Sequence, residues 1–456
     1  MEMLSSREER FSFFEVLLLN INKWTMRLLS IVFILTANLT AFGQFKNIKL
    51  AEQVDGVYPP VEPSIAINKK NPKNIVAGVV LDRAIYTMDG GETWAETKLE
   101  SPYGVFGDPA LISDSKGNIY YFHLADPSKQ GRSNDAWLDR IVCQKSEDGG
   151  KTWSEGSSIG NNPPKDQDKQ WPAVHPKKDI LFTTWTQFDK YGSNDPNCHS
   201  NILFSTSSNE GKKWSAPVQI NQNPGDCIDD DNTTEGAVPA VDSEGRVFVA
   251  WASHGNIYFD RSFDGGTLWL SNDLLIARQE GGWSMDIPGL SRSNGMPVLM
   301  IDNSKGRLRN SLYLVWADQR NGSNDTDIWF MRSTNYGDLW TAPMRINQDG
   351  PGKHQFLPWM TIDDATGFIY IVYYDRRAYD DLQTDVYLAY STDGGSTFKE
   401  TKISESPFIP TDTKFFGDYT NISAHKGIIT PIWTRMDEGR TGVYTAIIKE
   451  EDLVKK

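Results

Sequence analysis

Eight letters return six times along this chain. "TMDGGETW" starts at Thr87, "SEDGGKTW" at Ser146 and "SSNEGKKW" at Ser207. "SFDGGTLW" follows at Ser262, "STNYGDLW" at Ser333 and "STDGGSTF" at Ser391. Successive copies start 59, 61, 55, 71 and 58 residues apart. A fixed period of this length means one supersecondary unit repeated along the chain, each copy burying its apolar face on its neighbours. Within a copy, an acid such as Asp148 can accept N–H bonds across a turn. Gly150 supplies a left-handed backbone position, and the closing Trp packs its ring on the turn. The box therefore staples the outer corner of each unit.

The residues around each box define the unit. "PWMTIDDATGFIYIVYYDRR" from Pro358, then "TDVYLAYSTDGG", gives three apolar runs separated by polar turns, with "KETKIS" as a fourth. Alternating β-rich runs bounded by Gly and Asp read as strands. The same block begins at Pro63, Pro109, Pro172, Pro239, Pro297 and Pro358, and a seventh starts at Asp418. That seventh block has no box and no fourth strand, while "FKNIKLAEQ" near the N-terminus is a fourth strand without a block. Four-stranded antiparallel units repeated radially make a β-propeller. The expectation is all-β, with seven blades in one domain closed by the N-terminal strand. Six blades is the alternative, because six boxes exist.

"MRLLSIVFILTANLTAFGQ" from Met26 has a charged start, a short apolar run and Ala41-Phe42-Gly43 as a small-x-small site. It reads as a secretory leader with the true start at Met26, and it is too short for a comfortable membrane span. Residues 1–43 are thus expected to be removed, leaving residues 44–456 as a single propeller exported to the periplasm or the medium. Removal leaves the net charge of −14 unchanged. That charge argues against nucleic acid as a partner, because like charges repel. Three cysteines do not make a disulfide scaffold. Cys143 reads as a buried thiol. Cys198 and Cys227 fall in a loop and a connection on the same face, so an oxidising compartment would let them pair.

The pattern S-x-D-x-G-x-x-W is the Asp-box of BNR repeats, and the chain resembles the sialidase-like propeller superfamily over all seven blades. The resemblance implies an exo-alpha-sialidase-like glycoside hydrolase acting on terminal sugars of glycans, with no cofactor required. Family sialidases carry an Arg-Ile-Pro motif in the first blade, and here the matching stretch is "VEPSI" from Val61 to Ile65, without arginine.

Candidate chemistry falls on the face opposite the boxes. Loops after the second strands carry Arg83, Arg320, Arg376, Arg377 and Arg435, together with Asp82, Asp126, Asp189, Asp318, Asp375 and Asp437. Converging guanidinium groups would clamp a carboxylate, as the arginine triad of sialidases does; alternatively they bridge to blade aspartates. The starts of the innermost strands place Glu62, Asp108, Asp168, Glu235 and Asp418 near the axis. By the sialidase scheme of a tyrosine nucleophile, its glutamate partner and an aspartic acid, the resemblance implies Tyr419 as nucleophile, Glu235 as its partner and Asp108 or Asp168 as acid. Trp171, Trp283 and Trp359 can stack on sugar rings or belong to the core. Asp229, Asp230 and Asp231 offer oxygen ligands that could hold Ca²⁺, or form a solvated acidic loop. Two functions remain: a glycan-acting hydrolase, or a non-catalytic propeller that binds a glycan or a protein.

Overall fold

The computed structural model describes residues 45–134 and 136–454; the leader assigned to residues 1–43 lies outside them. Among the described residues, seven antiparallel sheets follow one another in chain order. Their innermost strands are Ser64–Ile67, Ala110–Ser113, Asp166–Val174, Glu235–Val241, Val298–Ile301, Gln355–Ile362 and Asn421–His425. In each of the first six sheets the four strands run outward in sequence. The seventh is completed by Ile48–Glu52, which pairs with Arg440–Thr445 from Ile48↔Thr445 to Glu52↔Gly442. The fold is the expected seven-bladed propeller, with the N-terminal strand as the outer strand of the last blade. Outer strands are short, two residues at Val218–Gln219 and at Met344–Arg345, which limits the edge open to another chain. The one α-helix among the described residues is Glu450–Val454, and no helix there is long and apolar enough to cross a membrane.

All six boxes fold alike. The first residue accepts from the N–H of the fifth, from 2.8 Å at Ser146 and Ser262 to 3.0 Å at Thr87 and Ser207. Its hydroxyl donates to the Asp or Asn at the third position, which accepts from the N–H of the seventh, as at Asp148 with Thr152 (2.9 Å). Asn209 and Asn335 replace the acid without loss of either bond, because the turn needs an acceptor and not a charge.

In four boxes the ring reaches the blade before it, whereas Trp153 meets Tyr121 of its own blade at 5.7 Å. Trp214 of blade three packs edge-on against Phe122 of blade two at 5.7 Å, and Trp269 of blade four against Phe204 of blade three at 5.1 Å. Trp340 meets Phe259 at 5.6 Å and Phe398 meets Phe330 at 5.0 Å, each one blade back. The glycine at the fifth position makes the same approach. A Cβ at Gly266, where φ is +95°, would stand 2.1 Å from the Phe204 ring, and one at Gly337 2.4 Å from Phe259. The box thus locks each of the six blades that carry one onto its neighbour.

Gly266→Ala should therefore combine left-handed strain with overpacking and cost about 2–5 kcal/mol, read from the denaturant midpoint. An unchanged midpoint would contradict the lock. Deleting residues 45–52 removes Phe45 from the core and uncovers the Arg440–Thr445 edge. This variant should melt lower and aggregate; wild-type melting and solubility would show that the ring does not need its closing strand.

Candidate functional site

Several innermost strands enter through a bulge. The pairing register shifts between Asp168 and Trp171, between Glu235 and Val238, and between Phe356 and Trp359. At the corresponding point of five blades one residue is left-handed: Glu62 (φ 52°), Asp108 (50°), Lys169 (52°), Gly236 (74°) and Leu357 (49°). Such a conformation costs a side-chain-bearing residue of the order of 1–2 kcal/mol, and a bulge re-aims the side chain it carries. The left-handed positions bring Glu62, Asp108 and Lys169 of three successive blades into one cluster.

The centre of that cluster is Asp418, buried at the start of blade seven. It accepts from Arg292 Nε at 2.7 Å and from Arg292 Nη2, and from Lys169 Nζ at 2.9 Å. Arg292 Nη1 donates to Asp229 Oδ2 at 2.7 Å, and the Tyr191 hydroxyl donates to the same oxygen at 2.5 Å. Burial opposes ionisation of Asp418 and Asp229, but the Arg292 and Lys169 charges prevail and hold both carboxyls below their usual range. Burial also works against the Lys169 ammonium, and Asp168 and Asp418 overcome it.

The remaining carboxyls have the opposite fate. Burial, then the charge of Asp168, pushes Asp108 up to about 8. Burial and the neighbouring Asp108 raise Glu62 well above an ordinary carboxyl. Burial raises Asp168 as well, against the pull of Lys169, whose Nζ is 3.9 Å from Asp168 Oδ2. Burial and Asp229 raise Glu235. Neither Glu235 oxygen nor Asp229 Oδ1 has a protein N–H or O–H donor. Two carboxyls in unlike surroundings, one raised and one lowered, are the arrangement that acid–base chemistry uses.

Glu62, Asp108, Asp168, Lys169 and Arg292 line a cavity of about 280 Å³. Its walls are aromatic: Tyr58, Phe106, Trp137, Tyr191 and Phe415. Trp171 and Trp359 lie nearer the middle of the ring, with centroids 4.3 Å apart, and Tyr419 meets Trp171 edge-on at 4.9 Å. Both tryptophans line a second axial cavity of about 210 Å³ among the innermost strands, not the charged one. The Tyr419 hydroxyl is buried without a partner. Burial, then Asp108 and Glu62, raises it well above an ordinary phenol; Glu235 instead faces Asp229.

The five arginines do not enter this cavity. Arg83 makes a fork with Glu96 at 2.9 and 2.6 Å. Arg320 binds Asp318 at 2.9 Å and lies 4.2 Å from the Trp329 ring centroid. Arg377 binds Asp375 at 2.8 Å and Glu400 at 2.7 Å, and Arg435 binds Asp437 at 2.7 Å. Arg376 donates to Thr384 Oγ1 at 3.0 Å and to the Pro288 carbonyl at 2.6 Å. Four are thus paired with acids of their own blades, and Arg377 and Arg435 do not form a shared clamp. The cations that do line the cavity, Lys169, Arg292 and Arg132, were not singled out from sequence. For Arg292 the signal was the 71-residue interval between the boxes at Ser262 and Ser333, where the excess falls between Arg278 and Val298.

Cys198 and Cys227 are disulfide-bonded, with Cα atoms 5.7 Å apart, and Cys143 is buried and free. The bond ties the loop of Tyr191 to the connection that carries Asp229, where Gly192 N–H also donates to the Cys227 carbonyl at 2.7 Å. Asp230 Oδ1 accepts from the Asp231 N–H and Asp231 Oδ1 from the Ser284 N–H. The three successive carboxylates therefore face different donors. Among the described residues no group of three His, Cys, Asp or Glu is arranged to hold a metal ion.

No protein-family model matches the chain, and no curated protein matches it in sequence. Solved structures do. A polysaccharide lyase, the PL25 ulvan lyase, superposes with a TM-score of 0.54 at 11% identity over 89% of this chain and 96% of its own. The NanB sialidase of Streptococcus pneumoniae gives 0.49 at 10% identity, covering 90% and 95%. The GH93 alpha-L-arabinofuranosidase of Fusarium graminearum gives 0.49 at 12%, covering 89% and 98%. At such identities the likeness is one of fold alone.

The charge pattern sets a pH dependence of stability. An unfolded Asp has a pKa near 3.9, whereas folded Asp108 is raised to about 8. Between those values the folded protein keeps a proton that the unfolded chain has released, so Asp108 lowers stability as pH rises from about 4 to about 8. Asp418 acts in the opposite sense, stabilising above an ordinary Asp pKa and ceasing to as pH falls below it. Asp108→Asn should melt higher than wild type at pH 9, with the gap closing towards pH 4. Parallel melting curves across that range would contradict the assignment.

Proposed function

We propose that this protein is a glycan-acting enzyme, a glycoside hydrolase that works outside the cytoplasm, with Asp108 as its proton donor. The observation that carries this reading is a cavity of about 280 Å³ in which one buried carboxyl, Asp108, is pushed up to about 8 beside the ion-paired Lys169 and Arg292. Glycoside hydrolysis needs a carboxylic acid to protonate the leaving oxygen and a second carboxylate on the other side of the reacting carbon. Asp168 lines the same cavity and is the candidate for the second role. Tyr419, buried behind these groups, takes no step in this scheme. Aromatic walls suit the apolar faces of sugar rings, and the ulvan lyase of the same fold was solved bound to -[GlcA(1-4)Rha3S]-, which supports a carbohydrate as ligand. Export is supported by the leader-like run from Met26 and by the disulfide.

A non-catalytic glycan or protein binder has one observation in its favour: the loop arginines are engaged within the protein. Turnover separates the two. The purified protein is screened against fluorogenic glycosides, a sialoside among them. Hydrolysis of at least one is expected, with kcat/KM falling as pH rises through about 8. Asp108→Asn should lower kcat by about 10²–10⁴-fold with little change in KM. Glycan binding without turnover of any substrate would favour the binder.

A further inference from the structure

We propose that the sugar ring seated against Glu62, Asp108 and Asp168 carries no negative charge: it is a neutral or amine-bearing sugar, not a uronic or sialic acid. This rests on the reading of the cavity as a glycan site and specifies its substrate class.

An incoming carboxylate needs a cation whose charge is not already spent. Arg292 directs Nε and Nη2 to Asp418 and Nη1 to Asp229, and Lys169 directs Nζ to Asp418. Asp418 and Asp229 therefore match the two cations charge for charge. Asp168 adds a further carboxylate on the cavity wall, beside the carboxyls of Glu62 and Asp108. An anionic ring would be placed against this surplus, and no buried cation is left to meet it. Arg132, the remaining lining cation, is exposed and lies over the Trp137 and Tyr191 rings, 5.4 and 5.0 Å from their centroids. It is available to a substituent at the rim and not to the ring at the floor.

The same groups suit hydroxyls. Asp108 and Glu62, whose carboxyls burial holds above the usual range, can donate, Asp168 accepts, and the buried Trp137 Nε1–H, which has no partner in the protein, lines the cavity. A buried donor of this kind gains a partner when a hydroxyl arrives. An ammonium group in place of a hydroxyl would meet the carboxylate surplus directly.

The test is binding, which does not depend on turnover. Methyl glucoside, methyl glucosaminide and methyl glucuronide, and the galacto counterparts, are titrated calorimetrically into the full-length mature protein at pH 7. In the series that binds, the uronide should be at least tenfold weaker than the neutral glycoside, and Asp168→Asn should narrow the gap. A uronide or sialoside that binds as tightly as the neutral sugar overturns the proposal, above all if Arg132→Ala abolishes that binding. Neutral sugars bound but not hydrolysed would refute the hydrolase reading and support this one. A uronide or sialoside bound tightly and hydrolysed through Asp108 would do the reverse. No binding in either series would overturn both.

Discussion

The structure depends on one contact made repeatedly: the glycine of each box, and in four boxes its ring, pressed onto the blade before it. A propeller blade buries little on its own, because its twisted sheet presents both faces to neighbours. The Ser-Asp pair shapes the turn using only local bonds. The turn then places an aromatic ring over a strand of the preceding blade, at Phe122, Phe204, Phe259 and Phe330. The first box turns back on the last blade, since a Cβ at Gly91 would stand 2.8 Å from Ile447. Blade seven has no box of its own, and its outer strand comes from the other end of the chain. The circle therefore closes by hydrogen bonds at one seam, and box packing serves every junction except that between blades six and seven.

A ring held at its outer corners can tolerate strain at its axis. Left-handed backbone at Glu62, Asp108 and Lys169, and six carboxyls around two cations, are each unfavourable in isolation. They persist because the surrounding blades fix the strand starts from both sides. The Cys198–Cys227 bond performs the same service for Tyr191 and Asp229, which lie in segments outside any blade. Rigid scaffolding with strained, charged positions at the mouth is the general relation between stability and function at binding sites.

Much of this was legible in the sequence wherever chemistry is local and repeated. The blades, the closing strand and the acids at the strand starts all follow from patterns spanning fewer than ten residues. The partner of the box ring was not legible, because the box specifies the turn and says nothing of what lies beyond it. Lys169 was hidden by its bulge: aligning blade three on Pro172 displaces Lys169 from the position that Glu62 holds before Pro63. Arg292 stands in a segment that repeats nothing. The loop arginines carry a signal of their own in the sequence. Asp318 and Arg320, Asp375 and Arg377, and Arg435 and Asp437 are two residues apart, and in extended chain that spacing puts both side chains on one face. The short pairing was available before any clamp across blades.

The left-handed positions also explain why the chemistry sits to one side of the axis. In blades one to three they carry Glu62, Asp108 and Lys169, and in blades four and six Gly236 and Leu357. The fold needs the conformation at each of these points but does not dictate the side chain. Three neighbouring positions taken by ionisable residues define a charged sector. The connection between blades four and five then extends across the mouth to place Arg292 against Asp418 of blade seven. A propeller of the same outline with other residues at these few positions would keep its fold and change its ligand, which is how structures about 11% identical can share the ring. Specificity in this chain is accordingly a property of a sector of some three blades and one insertion, and the other blades serve to hold that sector still.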